Sequence, residues 1–123
     1  MKTLSILFLL TAAAAIAPAA QETSLNGNWQ IKRVAADRES QIDCAFTQKN
    51  GELAGTCKTD RGTVTISGKV EGKNVTFAHK SESEGGTVTV EYTGKIESAD
   101  KIAGKLLAVE FSVEGDFTAT RAK

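Results

Sequence analysis

From Gly27 onward, apolar and polar residues alternate with a period of two, and proline is absent. Val64, Ile66, Gly68 and Val70 alternate with Thr63, Thr65, Ser67 and Lys69. Val88, Val90, Tyr92, Gly94 and Ile96 alternate with Thr87, Thr89, Glu91, Thr93 and Lys95. This pattern predicts strands with one face in a core and the other in water. No stretch beyond residue 20 carries a helical period. Strands are predicted over about 27–35, 40–49, 52–58, 62–70, 74–80, 87–97, 101–109 and 115–122.

The hairpin around Asn50-Gly51 fixes its own register. Asn-Gly favours a two-residue type I′ turn, with positive φ at both positions. Lys49 then faces Glu52, and all facing pairs sum to 101. Cys44 and Cys57 satisfy that sum, so they lie opposite one another, within disulfide reach. A Gly72-Lys73 turn similarly places Gly68 opposite Phe77, as the first hairpin places Gly55 opposite Phe46. Inward glycine facing inward aromatic lets a strand coil sharply while the ring covers the gap.

Eight short antiparallel strands with one apolar face bury it by closing on themselves, which also removes the sheet edges. The predicted fold is therefore all-β, an up-and-down antiparallel eight-stranded β-barrel. Connections alternate in character. Asn50-Gly51, Gly72-Lys73 and Ser98-Ala99-Asp100 are tight, whereas 36–39, 59–61, 81–86 and 110–114 read as longer loops. In a meander the tight turns gather at one end and the longer loops at the other. Gly68-Lys69-Val70-Glu71 recurs as Gly94-Lys95-Ile96-Glu97, which fits a barrel of similar hairpins.

The start of the chain changes the compartment. Lys2, the apolar run from Leu4 and the small residues around Ala17-Pro18-Ala19 read as a secretory signal peptide over 1–19. Residues 20–123 then form a single β-barrel domain, secreted or periplasmic, with no membrane span. Two cysteines in an exported chain read as one disulfide, and their short loop stabilises the fold by roughly 3 kcal/mol. The other reading, a zinc site, would join both cysteines to the one histidine and needs further ligands. The 15 basic and 15 acidic residues balance, with no basic run, so nucleic acid is not an expected partner. No cofactor or metal is expected.

Gly27-Asn28-Trp29 resembles the G-x-W opening of the calycins, the lipocalin and avidin barrels. That resemblance implies a calycin-like barrel whose Trp29 closes the narrow end against a late-strand arginine, here Arg121. Avidins surround biotin with several tryptophans, and this chain has one, so biotin is not an expected ligand. Residues 24–57 also resemble the secreted inhibitors of serralysin-type metalloproteases. The likeness lies in Leu25-x-Gly27-x-Trp29, Cys44 and Leu53-Ala54-Gly55-Thr56-Cys57. It implies an inhibitor acting through an extended N-terminal tail.

Candidate chemistry gathers at the predicted loop end. His79, the single histidine, points inward by alternation with Val75 and Phe77. It either orients a ligand or bonds water at the rim. Nothing in the sequence ties a nucleophile to it, so no catalytic residue is assigned and the protein is not expected to be an enzyme. Arg38 and Arg61 each follow an aspartate in a loop; they either recognise a partner or are solvated surface. Phe111 and Val113 either fold back to cap the mouth or contact a ligand. Leu107 and Val109 would point outward unless a bulge near Leu106-Leu107 resets the phase, and an exposed stripe there would make a weak dimer. The expected function is thus a non-enzymatic binding module. It would act through Arg38, Arg61, His79, Phe111 and Val113 on a small apolar ligand or a secreted protein partner. The mouth is expected to be shallow. The alternative is an inhibitor of an extracellular or periplasmic protease.

Overall fold

The computed structural model describes residues 24–122; the expected signal peptide over 1–19 and the tail of the inhibitor reading up to residue 23 lie outside them. The strands are β1 (Gly27–Ala35), β2 (Arg38–Lys49), β3 (Glu52–Thr59), β4 (Gly62–Glu71), β5 (Asn74–Ser83), β6 (Gly86–Ser98), β7 (Lys101–Ala108) and β8 (Val113–Arg121). Each pairs antiparallel with the next, and β1 pairs with β8 to close the barrel.

The facing pairs anticipated from the turns are present. Cys44 faces Cys57 and is disulfide-bonded to it. Phe46 faces Gly55, and Gly68 faces Phe77. Gly104 faces Phe117 in the same way. A Cβ at Gly55, Gly68 or Gly104 would come within 1.9, 2.0 and 2.1 Å of a neighbouring strand's carbonyl oxygen. Strands approach so closely there that only glycine fits.

Inward rings form a continuous column. Trp29 lies 6.1 Å from Phe46, Phe46 lies 5.5 Å from Phe77, and Phe77 stacks on Tyr92 at 4.5 Å. Phe117 meets both Phe77 and Tyr92 edge-on. Edge-to-face and offset pairs add to the burial of the rings themselves. Leu25, Ile31, Ile42, Leu53, Ile66, Val75 and Ile102 fill the space around the column and are fully buried or nearly so.

The Trp29 end is sealed. The Trp29 indole donates to the Leu25 carbonyl at 2.9 Å, and the Arg121 guanidinium lies 4.6 Å above its ring. Arg121 also donates to the carbonyls of Ser24, Asn26 and Ala99 and to Asp100 Oδ1. One side chain thereby ties β8 to the incoming chain and to the β6–β7 turn.

Several local expectations need correction. Asn50 has positive φ (59°) but Gly51 does not, so the turn is not type I′, although its register is kept. At the opposite end, the loops expected to be long are mostly two-residue turns, because the strands run further than the apolar pattern shows. Ala35 pairs with Arg38, Thr59 with Gly62, and Ser83 with Gly86. Ala36 and Asp37 both take positive φ (52° and 62°), the pattern of a tight primed turn. Only β7–β8 has a longer connection, a 3-10 turn over Val109–Phe111. No bulge falls at Leu106-Leu107; the irregularity lies between Ile96 and Ser98.

Candidate functional site

The end opposite Trp29 is built differently. Along β1 the inward phase runs Trp29, Ile31, Arg33, so the third inward residue is a guanidinium. Its Nη1 donates to Tyr92 Oη at 3.1 Å, and its Nε donates to Ser40 Oγ at 3.0 Å. On the far side of the phenol, His79 Nε2 lies 2.9 Å from Tyr92 Oη. His79 is buried, Tyr92 is almost fully so, and Arg33 is half-buried. The aromatic column therefore ends in a hydrogen-bonded Arg33–Tyr92–His79 cluster.

The protons in the cluster can be assigned. A guanidinium only donates, so Tyr92 Oη accepts from Arg33 and keeps its own proton to donate. His79 Nε2 is the acceptor at hand. The neutral imidazole then carries its proton on Nδ1, which is buried and has no partner. Burial first, and the Arg33 charge second, lower the His79 pKa from 6.5 to about 4. Burial raises the Tyr92 pKa, against a smaller opposite pull from Arg33. At neutral pH both rings are uncharged and Arg33 is the cluster's only charge.

Above the cluster, the next inward positions are short or half-buried: Ala35, Val64, Ser81, Val88, Ala108 and Val113. They ring this end of the barrel, over the polar floor that the cluster forms. The carboxylates of Glu82 and Glu110 are turned away from it. Glu82 accepts from Thr87 Oγ1, and Glu110 accepts from both the backbone N–H and the hydroxyl of Thr89. Those bonds hold the Glu110 carboxyl below its usual pKa and pin the β7–β8 turn against β6.

The ligand- or partner-binding residues expected from the sequence all lie at this end, in different settings. His79 is in the floor and Val113 is half-buried on the wall, opposite Ala108. Arg38 stands at the rim opposite Ala35 and is exposed. Arg61 is exposed in the β3–β4 turn, where its backbone N–H bonds Thr59 Oγ1. Phe111 does not cap the mouth; it is 59% exposed, and Val109 and Val34 are exposed as well. Leu107 points outward but is half-buried, in an outer-wall depression of about 500 Å³ among Glu91, Lys105, Glu114 and Asp116. Sequence reasoning passed over Arg33 and placed Tyr92 only in the core. The signal for Arg33 was available: it shares the phase of Trp29 and Ile31, where a cation is out of place.

No family model matches the chain, and no curated protein matches it. Solved structures match in fold. A redesigned β-barrel, b11L5F_LGL, superposes with a TM-score of 0.66 at 17% identity, over 80% of this chain and 92% of that one. EF1p2_mFAP2b bound to DFHBI gives 0.56 at 15% identity, over 80% and 94%. The redesigned barrel mFAP0, bound to DFHBI, gives 0.54 at 19% identity, over 79% and 98%. At these identities the likeness is one of fold, an eight-stranded antiparallel barrel. Among the described residues no helix is long and apolar enough to cross a membrane, and no group of His, Cys, Asp and Glu could hold a metal ion.

Proposed function

We propose that this chain is an exported, non-enzymatic binding protein that takes a small, largely apolar ligand at the open end of its barrel. The observation that carries this reading is the Arg33–Tyr92–His79 cluster set beneath a ring of short side chains. A mostly apolar concavity with a few convergent polar groups is the usual form of a small-molecule site. The filled aromatic column below it limits the ligand to the mouth. Two barrels of this fold hold DFHBI, which supports the use of such a scaffold for small ligands. The disulfide suits an oxidising compartment. The non-enzymatic reading is supported by the cluster's chemistry: a neutral imidazole bonded to a protonated phenol is not an activated nucleophile pair.

Nuclear magnetic resonance titration of the exported protein tests this, with DFHBI and a panel of small aromatic and aliphatic compounds as probes. Binding should shift the amides of Val64, Ser81, Val88 and Ala108 and leave those of Leu25 and Ala99 in place. Shifts confined to the outer wall around Leu107 and Glu114, or no shift with any compound, would overturn the reading.

A further inference from the structure

Apart from the remaining lone pair of Tyr92 Oη, the open hydrogen-bonding positions of the cluster are donors. Arg33 has no carboxylate partner among the described residues, whose ion pairs are Lys101–Glu97, Lys105–Asp116 and Arg121–Asp100. Its bonds to Ser40 and Tyr92 use two of its five N–H groups. The other open position is the buried Nδ1 of His79, which carries a proton once Nε2 accepts from Tyr92. Arg33 is half-buried, and its edge toward Ser40 is exposed, so its remaining N–H groups are within reach of a ligand at this end. The carboxylates at this end do not supply the pairing: Glu39, next to Ser40 on β2, makes no ion pair with Arg33, and Glu82 and Glu110 bond Thr87 and Thr89.

We propose that the mouth selects a small organic carboxylate, with its head-group on Arg33 and its apolar body against Val64, Val88 and Val113. This rests on the binding reading given above and adds the chemical class. A planar guanidinium edge matches a carboxylate in a way that it does not match a neutral hydroxyl. The apolar wall favours a carboxylate with a hydrocarbon body over an inorganic anion.

The test compares 4-phenylbutyrate with 4-phenyl-1-butanol, which share a body and differ in the head-group. Both are titrated into the exported protein and followed at the mouth amides and at the His79 ring. The carboxylate should bind at least about tenfold tighter, the scale of one charge-assisted hydrogen bond. It should also raise the pH at which the His79 ring titrates, because a nearby anion favours the imidazolium; the alcohol should not. Arg33→Gln should bring the two affinities together by weakening the carboxylate alone. Equal affinities in the native protein, with mouth amides shifting for both, would overturn the carboxylate assignment and leave the binding reading intact. No mouth shift with either compound would overturn the carboxylate assignment, and no shift across the wider panel would overturn the binding reading as well. The native comparison holds even if Arg33→Gln does not fold, and Arg33→Lys, which keeps the charge but loses the planar edge, should retain only part of the preference.

Discussion

His79 stays neutral because it sits inside the barrel beside a permanent cation. Its folded pKa of about 4 lies below the ordinary 6.5, so the unfolded chain binds the extra proton between those values. Stability from this group is therefore fully present above about pH 6.5 and is lost as the pH falls toward 4. The shift corresponds to about 3–4 kcal/mol at most, and to less once solvent screening is counted. Denaturant titrations at several pH values should show this slope in the native protein and a flatter one in His79→Gln. An unchanged slope would mean that the ring is solvated in the folded state. The single-residue reading of the sequence had a clear limit here. Inward phase was legible for His79, but a hydrogen bond from Arg33 to Tyr92 joins residues 59 positions apart in the chain. Only the closed barrel brings them together, and no local pattern encodes that approach.

At the scale of elements, the hairpins were legible where their turns carry distinctive chemistry. Asn50-Gly51 and Gly72-Lys73 fixed their registers, and with them the disulfide and the glycine–phenylalanine pairs. The opposite turns were misread as long because charged residues at Asp37, Arg38, Asp60 and Arg61 look like loop composition. Polarity is only a correlate of loops; backbone conformation decides them. Ala36 takes positive φ within a hairpin whose strands already pair up to Ala35 and Arg38, so the ladder imposed the turn. The glycines make a sharper claim. A Cβ at Gly68 would lie 2.0 Å from the Thr76 carbonyl oxygen and 2.6 Å from Phe77 Cβ, so Gly68→Ala must push β4 and β5 apart. It should destabilise by about 3 kcal/mol, the upper range for overpacking. Gly72→Ala meets no neighbouring atom and differs only by its left-handed φ of 61°, so it should cost about 1–2 kcal/mol. Equal losses for the two in equilibrium unfolding would show that the β4–β5 approach is looser than described.

For the whole molecule, closure depends on β1 meeting β8, the strands furthest apart in the chain, and Arg121 stands where that pairing ends. It faces Trp29 across the ladder, covers the indole, and bonds three carbonyls and one carboxylate from segments that no other side chain among the described residues joins. Its side chain is 28% exposed, so these bonds are partly shielded from water. Loss of Arg121 would leave the Ser24, Asn26 and Ala99 carbonyls short of a donor and uncover the top of the aromatic column. Hydrogen bonds from a charged donor contribute about 1.5–3 kcal/mol each, and those from one side chain do not add in full. Arg121→Ala should therefore cost about 3 kcal/mol. Arg121→Lys should recover little of it, because a single ammonium cannot reach four acceptors and cover an indole at once. Asp100→Ala removes only the exposed ion pair and should cost less than about 1 kcal/mol. Hydrogen exchange at Gln30, Lys32, Thr118 and Thr120, whose N–H groups cross the β1–β8 seam in phase with the Ala122 N–H to Asn28 carbonyl bond, gives a readout specific to closure. In Arg121→Ala those amides should exchange faster than the amides of β4 and β5, since the seam opens before the opposite wall. Uniform acceleration around the barrel would mean instead that Arg121 stabilises the fold as a whole and does not hold its seam.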